Sequence, residues 1–494
     1  MSSTGSLDRL LSFFGKADYN YAQRYYASAT LRRDGSSKFA PSHRWGTFPA
    51  FNVGWRASRE SFFPQNGFFS NVMLRFGWGE TGNQQIPGGR IVAQFGGDRG
   101  DTFYDISGTG TIQPGFRQVA LGNPNVKWET NKSTNVGLDL EFLQGRGNFT
   151  VDVYNRRTEG LLYDPRLPST AGAANPAIGN FGTMSNKGFD FALAYSGTIS
   201  GNKVWSVAFN GSHYKNKILR IDGVTQAFFG PVGTRIGVAV INQVGQPIGA
   251  FYGLQANGYF PDSVDALAHR TNALGTCDTA PCQDAALPGR IRFVDVNKDG
   301  VITAADKTII GSPHPDFTGG LDLGFRMGAW DFSATIFGSF GGQIFDAQKD
   351  FYVFRDFSTN VVKDRLTDSF CLPADEGCTH PYDKNAKYPR LDQFDASSPV
   401  ISSYYVESAT YVRLRTLQVG WQVPASLIRW LPSARIYLQA ENLFTITGYE
   451  GLDPALPAAA ATGASGDIRD QARGIDQGIY PSNRTITVGI STTF

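Results

Sequence analysis

The sequence predicts an all-β protein, the C-terminal part of a large antiparallel transmembrane β-barrel. Three observations lead there. Apolar and polar residues alternate through many segments of about ten residues. The connections between those segments swing between very short and very long. No stretch reaches the roughly 18 apolar residues that a membrane-crossing helix needs.

The alternation is clearest in 134–143, where Val136, Leu138, Leu140 and Phe142 are separated by Gly137, Asp139 and Glu141. Residues 71–79 repeat it with Val72, Leu74, Phe76 and Trp78 against Met73, Arg75 and Gly77. Trp205, Val207 and Phe209 do the same, as do Phe189, Phe191, Leu193 and Tyr195. Phe317, Leu321, Leu323 and Phe325 stand opposite Asp322, Gly324 and Arg326. A period of two means strands with one apolar and one polar face. The last segment, 484–494, places Ile486, Val488, Ile490 and Phe494 on one face and Thr485, Thr487, Gly489, Ser491 and Thr493 on the other.

A soluble sandwich also alternates, so length and connections decide. The segments approach the 9–11 residues that cross a bilayer at a tilt. Residues 144–147, 199–203 and 328–329 are tight turns, whereas 80–133, 214–316, 341–409 and 447–483 are long. Compact domains rarely carry loops beyond about 15 residues, and short turns at one end with long loops at the other are a barrel pattern. Apolar side chains then face lipid, polar ones face the lumen, and the 214–316 region is a long extracellular loop. About thirteen strands are expected, starting near Leu11, Gln23, Phe48, Val72, Thr134, Asn148, Lys187, Val204, Phe317, Trp330, Tyr411, Ala434 and Arg484. Single-chain bacterial barrels have even strand counts and closed sheets, so an odd count implies a fragment.

Composition agrees. Gly (57), Phe (37) and Tyr (20) are abundant, and a net charge of +2 without a basic stripe gives no support for a nucleic-acid partner. The first residues show no basic region followed by an apolar one, so no export signal is legible. Cys277/Cys282 and Cys371/Cys378 lie in polar surroundings with spacings poorly suited to zinc. Two local disulfides are expected, each worth roughly 2 kcal/mol, with free thiols the alternative. Disulfides require an oxidising compartment, which sets them against the missing signal and implies loss of an N-terminal part.

One constellation carries chemistry. Asp295, Asn297, Asp299, Gly300, Val301, Thr303 and Asp306 match the calcium-loop spacing D-x-[DN]-x-[DN]-G-x₅-[DE]. Carboxylate and amide oxygens at positions 1, 3 and 5, the Val301 carbonyl, Thr303 and Asp306 would surround one structural Ca²⁺, and Gly300 would allow the bend. Asp at position 12 reaches less far than Glu, and the alternative is a run of Asx turns without metal. Phe103, Tyr104, Tyr352, Phe354, Tyr404 and Tyr405 fall in the long loops, where they would either stack on sugar rings or pack the loops themselves. Trp45, Trp55, Trp78, Trp205 and Trp421 read as interfacial girdle residues. Asp139, Glu141 and Asp152 read as wet lumen lining. The five histidines are scattered and no nucleophile motif, phosphate loop or paired-carboxylate arrangement is present, so no catalytic residue is assigned.

Eleven segments, in order along the chain, resemble SusC/RagA-type TonB-dependent outer-membrane transporters. They are LRRDGSSKFAP (31–41), TFPAFNVGWRAS (47–58), LRFGWGETGNQ (74–84), LGNPNVKWETNKSTNVGLDL (121–140), DVYNRRTEGLL (152–162), MSNKGFDF (184–191), GQPIGAFYG (245–253), DVNKDGVITAADKTIIGSPHPDFTGG (295–320), YVRLRTLQVGW (411–421), ENLFTITGYEGLDP (441–454) and YPSNRTITVGISTTF (480–494). The resemblance implies a plugged barrel of about 22 strands, a SusD-like surface lipoprotein as lid, and energy from the TonB–ExbB–ExbD complex through an N-terminal part. It also implies a large nutrient cargo, oligosaccharide or oligopeptide. The plug, TonB box and about nine strands are not found in these residues. A passive porin-like barrel is the first alternative and a secreted β-rich enzyme with a dockerin-like calcium loop the second.

Overall fold

A computed structural model describes residues 7–493, apart from 65–66, 87, 98, 164–173, 176, 202, 223–224, 231–232, 273, 355–359, 425–426, 428–432 and 457–472. Its framework is one 13-stranded sheet in which every strand pairs antiparallel with its sequence neighbours within the sheet. The strands are β1 (Leu10–Tyr21), β2 (Tyr25–Ser36), β3 (Trp45–Arg56), β4 (Phe69–Asn83), β5 (Glu129–Phe142), β6 (Gly147–Tyr163) and β7 (Gly179–Ser200). They continue with β8 (Lys203–Arg220), β9 (Phe317–Met327), β10 (Trp330–Phe340), β11 (Tyr411–Val423), β12 (Ser433–Thr447) and β13 (Thr485–Thr493). This is the strand count and order that the alternation predicts. Among the described residues no helix is long and apolar enough to cross a membrane.

Register keeps like faces together. Leu74 lies opposite Leu138, which lies opposite Val151; Val207 lies opposite Leu323. The apolar face is open: Ile486, Val488 and Ile490 are 70%, 72% and 70% exposed, and Leu438 beside them is 50% exposed. A soluble sandwich would bury that face under a second sheet. The opposite face is polar, and on it Arg75 lies between Asp139 and Asp152.

The strands run further than the alternation shows. Residues 80–83 pair with 129–132 inside β4 and β5, although both stretches belong to the predicted 80–133 loop. Strand β7 has 22 residues and begins at Gly179, well before Lys187, and β8 continues past Tyr214 to Arg220. In 179–188 and 214–220 the residues are mainly Gly, Asn, Ser, Lys and Thr, so pairing continues where the apolar rhythm has stopped. Backbone bonding, not side-chain pattern, holds these extensions.

The short connections gather at one end of the sheet. In the turn between β5 and β6, Leu143 and Gln144 hold φ of 54° and 60° beside Gly145 at 82°; Gly328 at 59° makes the two-residue turn between β9 and β10. Aromatics collect at this end: Trp330 lies opposite Trp421, Trp205 packs on Tyr195, and Tyr21 stacks on Tyr25. Trp330 belongs to this girdle although the sequence reading leaves it out. Trp45 sits at the other end of β3 and stacks on Phe13, and Trp78 lies further along its strand. Phe494, the terminal residue of the expected last strand, lies outside the described residues.

If the apolar face meets lipid, Val488→Arg should cost about 2–4 kcal/mol and sharply lower the folded fraction seen as heat-modifiable mobility on a denaturing gel. Thr487→Arg, on the polar face, should assemble nearly normally. Equal loss for both would contradict the assigned faces.

Candidate functional site

At the end of the sheet opposite the short turns, three long connections fold into one body. Residues 221–316, 341–410 and 448–484 share a core in which Phe251, Phe345, Val353 and Tyr405 are fully buried, with Phe354, Tyr388 and Ile475 nearly so. Phe345 stacks on Tyr405 with ring centroids 5.3 Å apart. A small sheet fixes the same meeting point: Gln343–Asp346 pairs antiparallel with Val406–Ser408 and parallel with Ile475–Asp476. A second cluster of Phe39, Phe48, Ile86, Val126, Trp128 and Ile178 anchors 84–128 near β3, and the Trp128 indole donates to the Arg44 carbonyl at 2.9 Å.

These contacts decide between the two alternatives left open for the loop aromatics. Phe354 and Tyr405 are buried in the loop core and Tyr404 packs edge-on against both, so none of the three presents a free ring to a sugar. Tyr352 is half-buried, and its hydroxyl donates to Asp346. Of the six candidates, only Tyr104 is largely exposed, at 65%; Phe103 is half-buried. Packed against each other, these large rings form the core that holds the long loops together.

Charge is buried with them. Lys349 pairs with Glu407 at 2.7 Å and donates to the Tyr404 carbonyl, and the Tyr449 hydroxyl donates to Asp476 at 2.6 Å. Asp346 and Asp476 are direct partners on the parallel strands. Burial pushes the Asp346 carboxyl up to about 6, against the opposing pull of the Tyr352 hydrogen bond. Burial also raises the Tyr352, Tyr405 and Tyr449 phenols. Asp453 behaves differently. Burial alone would raise it, but the backbone N–H of Ser482, the Arg413 guanidinium and the backbone N–H of Ala455 together lower it. The Arg413–Asp453 pair, 2.5 Å apart, ties β11 to the 448–484 connection.

Below this body lies the polar wall. Arg75 reaches Asp139 at 2.6 Å and Asp152 at 3.0 Å, and Arg435 reaches Asp331 at 2.5 Å. Gln418, Gln439 and Glu441 continue a hydrogen-bonded ladder. Asp139 and Asp152 thus share one guanidinium, while Glu141 is exposed. Such a lining is polar and wettable.

The calcium-type loop is compact. Asp295 accepts from the Lys298 and Gly300 amides, and Asp299 from Val301. Asp306 is fully buried; its two oxygens accept from Val296, Asn297 and Thr303. The side-chain donors are all oxygens, which suits a hard cation, yet the turn is also closed by its own amides. Among the described residues, no group of three or more His, Cys, Asp or Glu side chains is placed to hold a metal ion. Cys277 is disulfide-bonded to Cys282 and Cys371 to Cys378. Cys282 also exchanges backbone hydrogen bonds with Gly300 and Ile302, so the first disulfide loop is stitched to the 295–306 turn. No spacing rule in the sequence signals that contact.

Comparison with known proteins places these features. The family described as "TonB dependent receptor-like, beta-barrel" matches residues 2–443. TonB-dependent receptor P3 of Formosa agariphila is 30% identical across 98% of this chain and 45% of its own length. TonB-dependent receptor SusC of Bacteroides thetaiotaomicron is 26% identical across 98% of this chain and 44% of its own. The chain therefore spans about half the length of the curated relatives it matches. Among solved structures, a chain of the RagAB peptide transporter superposes with a TM-score of 0.78 at 21% identity, covering 99% of this chain and 47% of that one.

Asp346 supplies a pH test. Its folded value of about 6 lies above the ordinary 3.8. The stability it contributes is therefore fully present below about pH 3.8 and lost as pH rises through about 6. The 343–346 and 475–476 amides should show larger protection factors, that is exchange rates corrected for the intrinsic pH dependence of amide exchange, at pH 5 than at pH 7.5. The difference should be bounded by roughly 3 kcal/mol, and Asp346→Asn should abolish it. Equal protection factors at both pH values in the parent protein would refute the burial argument.

Proposed function

The chain belongs to the TonB dependent receptor-like β-barrel family, and from that premise we propose that it forms the C-terminal wall and loop body of an outer-membrane importer of large nutrients. The observation that carries this reading is a single sheet with an open apolar face, a polar opposite face, and a packed body of long loops at one end. Proteins of this family lie in the outer membrane, and the loop end is assigned to the cell exterior. The cargo is an oligosaccharide or oligopeptide that enters past the loop body and along the Arg75- and Arg435-bearing wall.

Three further parts belong to the proposal. In the pairing order β1 and β13 stand at opposite ends, and among the described residues they do not pair with each other. Unpaired backbone groups in lipid cost several kcal/mol each, so strands from a longer receptor close the barrel on these edges. A plug coupled to TonB–ExbB–ExbD occupies the lumen and supplies the energy. A SusD-like surface lipoprotein covers the loop body, whose rigid core gives it a fixed seat.

Active import separates this reading from a passive porin. With the complete receptor and its lipoprotein in cells, uptake of a labelled oligopeptide or oligosaccharide pool should fall about tenfold or more when TonB is deleted. Unchanged uptake without TonB would support passive passage instead.

A structural Ca²⁺ in the 295–306 turn is part of the same proposal, resting on its oxygen donors and on the bend at Gly300, where φ is 86°. Adding Ca²⁺ to metal-stripped protein should slow proteolysis within 295–306 while leaving barrel mobility on gels unchanged. A cleavage rate indifferent to saturating Ca²⁺ would exclude the ion.

A further inference from the structure

The outer face of the sheet changes character along one line. On β8, Trp205, Val207 and Phe209 give way after His213 to Lys215 and Lys217. On β7, Phe191 and Phe189 give way to Lys187. Register sets Lys215 directly opposite Lys187, with Lys217 two positions further on, opposite Ser185. The pairing is continuous from Val204 through Lys217, so all three lysines share the face of Trp205 and Phe209. All three are exposed.

Their neighbours are neutralised and they are not. Across β5 and β6, Lys132 pairs with Glu159 at 2.8 Å and with Glu80 at 3.8 Å, and Arg157 pairs with Glu159 at 3.2 Å. On the far side of β8, the Asp316 carboxylate packs against Gly341. Among the described residues no ion pair engages Lys187, Lys215 or Lys217. Like charges directly opposite each other weaken a strand pair, so this spot is improved by an anion from outside the chain.

Height identifies the anion. Ten residues separate Trp205, at the turn end, from Lys215. At ~3.3 Å per residue that is ~33 Å of strand, and a tilt of about 40° reduces it to a rise of ~25 Å, the height of the apolar band in outer-membrane barrels. The lysines stand where hydrocarbon ends and headgroups begin, on the leaflet at the loop side.

We infer that Lys187, Lys215 and Lys217 form a binding site for the phosphate of an anionic outer-leaflet lipid headgroup. Each ammonium offers three donors. A phosphate between them makes charge-assisted hydrogen bonds in an interface where Coulomb attraction is stronger than in bulk water. The inference rests on the outer-membrane reading above, with the loop end outward.

Native mass spectrometry of the complete receptor, released from nanodiscs that contain monophosphoryl lipid A or the same lipid dephosphorylated, tests it. The parent protein should retain the phosphorylated lipid about tenfold better. Lys187→Gln/Lys215→Gln/Lys217→Gln should erase that preference, Lys215→Gln alone should reduce it, and Lys203→Gln, at the turn end of β8, should leave it intact. Heat-modifiable mobility verifies assembly of each variant, and the single variant decides the matter if the triple one does not assemble. Equal retention of the two lipids by the parent, or an undiminished preference in the lysine variants, overturns the site. Failure to enter nanodiscs at all would instead overturn the membrane reading.

Discussion

A backbone amide or carbonyl in hydrocarbon has no water to bond, and that constraint organises the molecule. Thirteen strands satisfy each other in one antiparallel ladder, so the side chains are free to follow solvent rather than backbone need. The outer face is consequently apolar and open, with Val488 and Ile490 largely exposed, while the inner face carries Arg75 with its two aspartates and Arg435 with Asp331. Burial, the usual organiser of a soluble protein, is almost absent from the wall and concentrated in the loops.

The loop body solves a different problem. Connections of this length would lose much conformational entropy if each were ordered alone. Three of them are ordered together around Phe251, Phe345 and Tyr405, and buried pairs such as Lys349–Glu407 and Tyr449–Asp476 hold their polar groups. Arg413 and Asp453 then fasten that body to the wall. Under the proposed function, a packed mouth over a polar wall would favour selective entry of large polar cargo over open diffusion.

Much of the wall was legible because period two survives wherever one face meets lipid. All thirteen strands were found from alternation, from Leu11 to Arg484. Their loop-side ends were not, since residues such as Asn216 and Asn186 continue the ladder without any apolar rhythm. The loop core was illegible for another reason. Phe345 meets Tyr405 and Phe251 across distant segments, and Asp346 meets Asp476 through a parallel pairing that no local pattern encodes. For Tyr404, Tyr405 and Phe354 the sequence therefore leaves sugar stacking and loop packing open, and the packing alternative is the one their contacts show. The acidic turn at 295–306 was visible as a motif, but its attachment to Cys282 was not.

Everything functional in this account depends on the loop end facing outward. The most direct measurement is labelling of single introduced cysteines with a membrane-impermeant maleimide in intact cells. Leu274→Cys, in the 221–316 connection and 88% exposed, should label without permeabilisation. Ala329→Cys, in the turn between β9 and β10, should label only after the outer membrane is opened. The opposite pattern, or equal labelling of both positions in intact cells, would contradict the orientation and with it the proposed entry route.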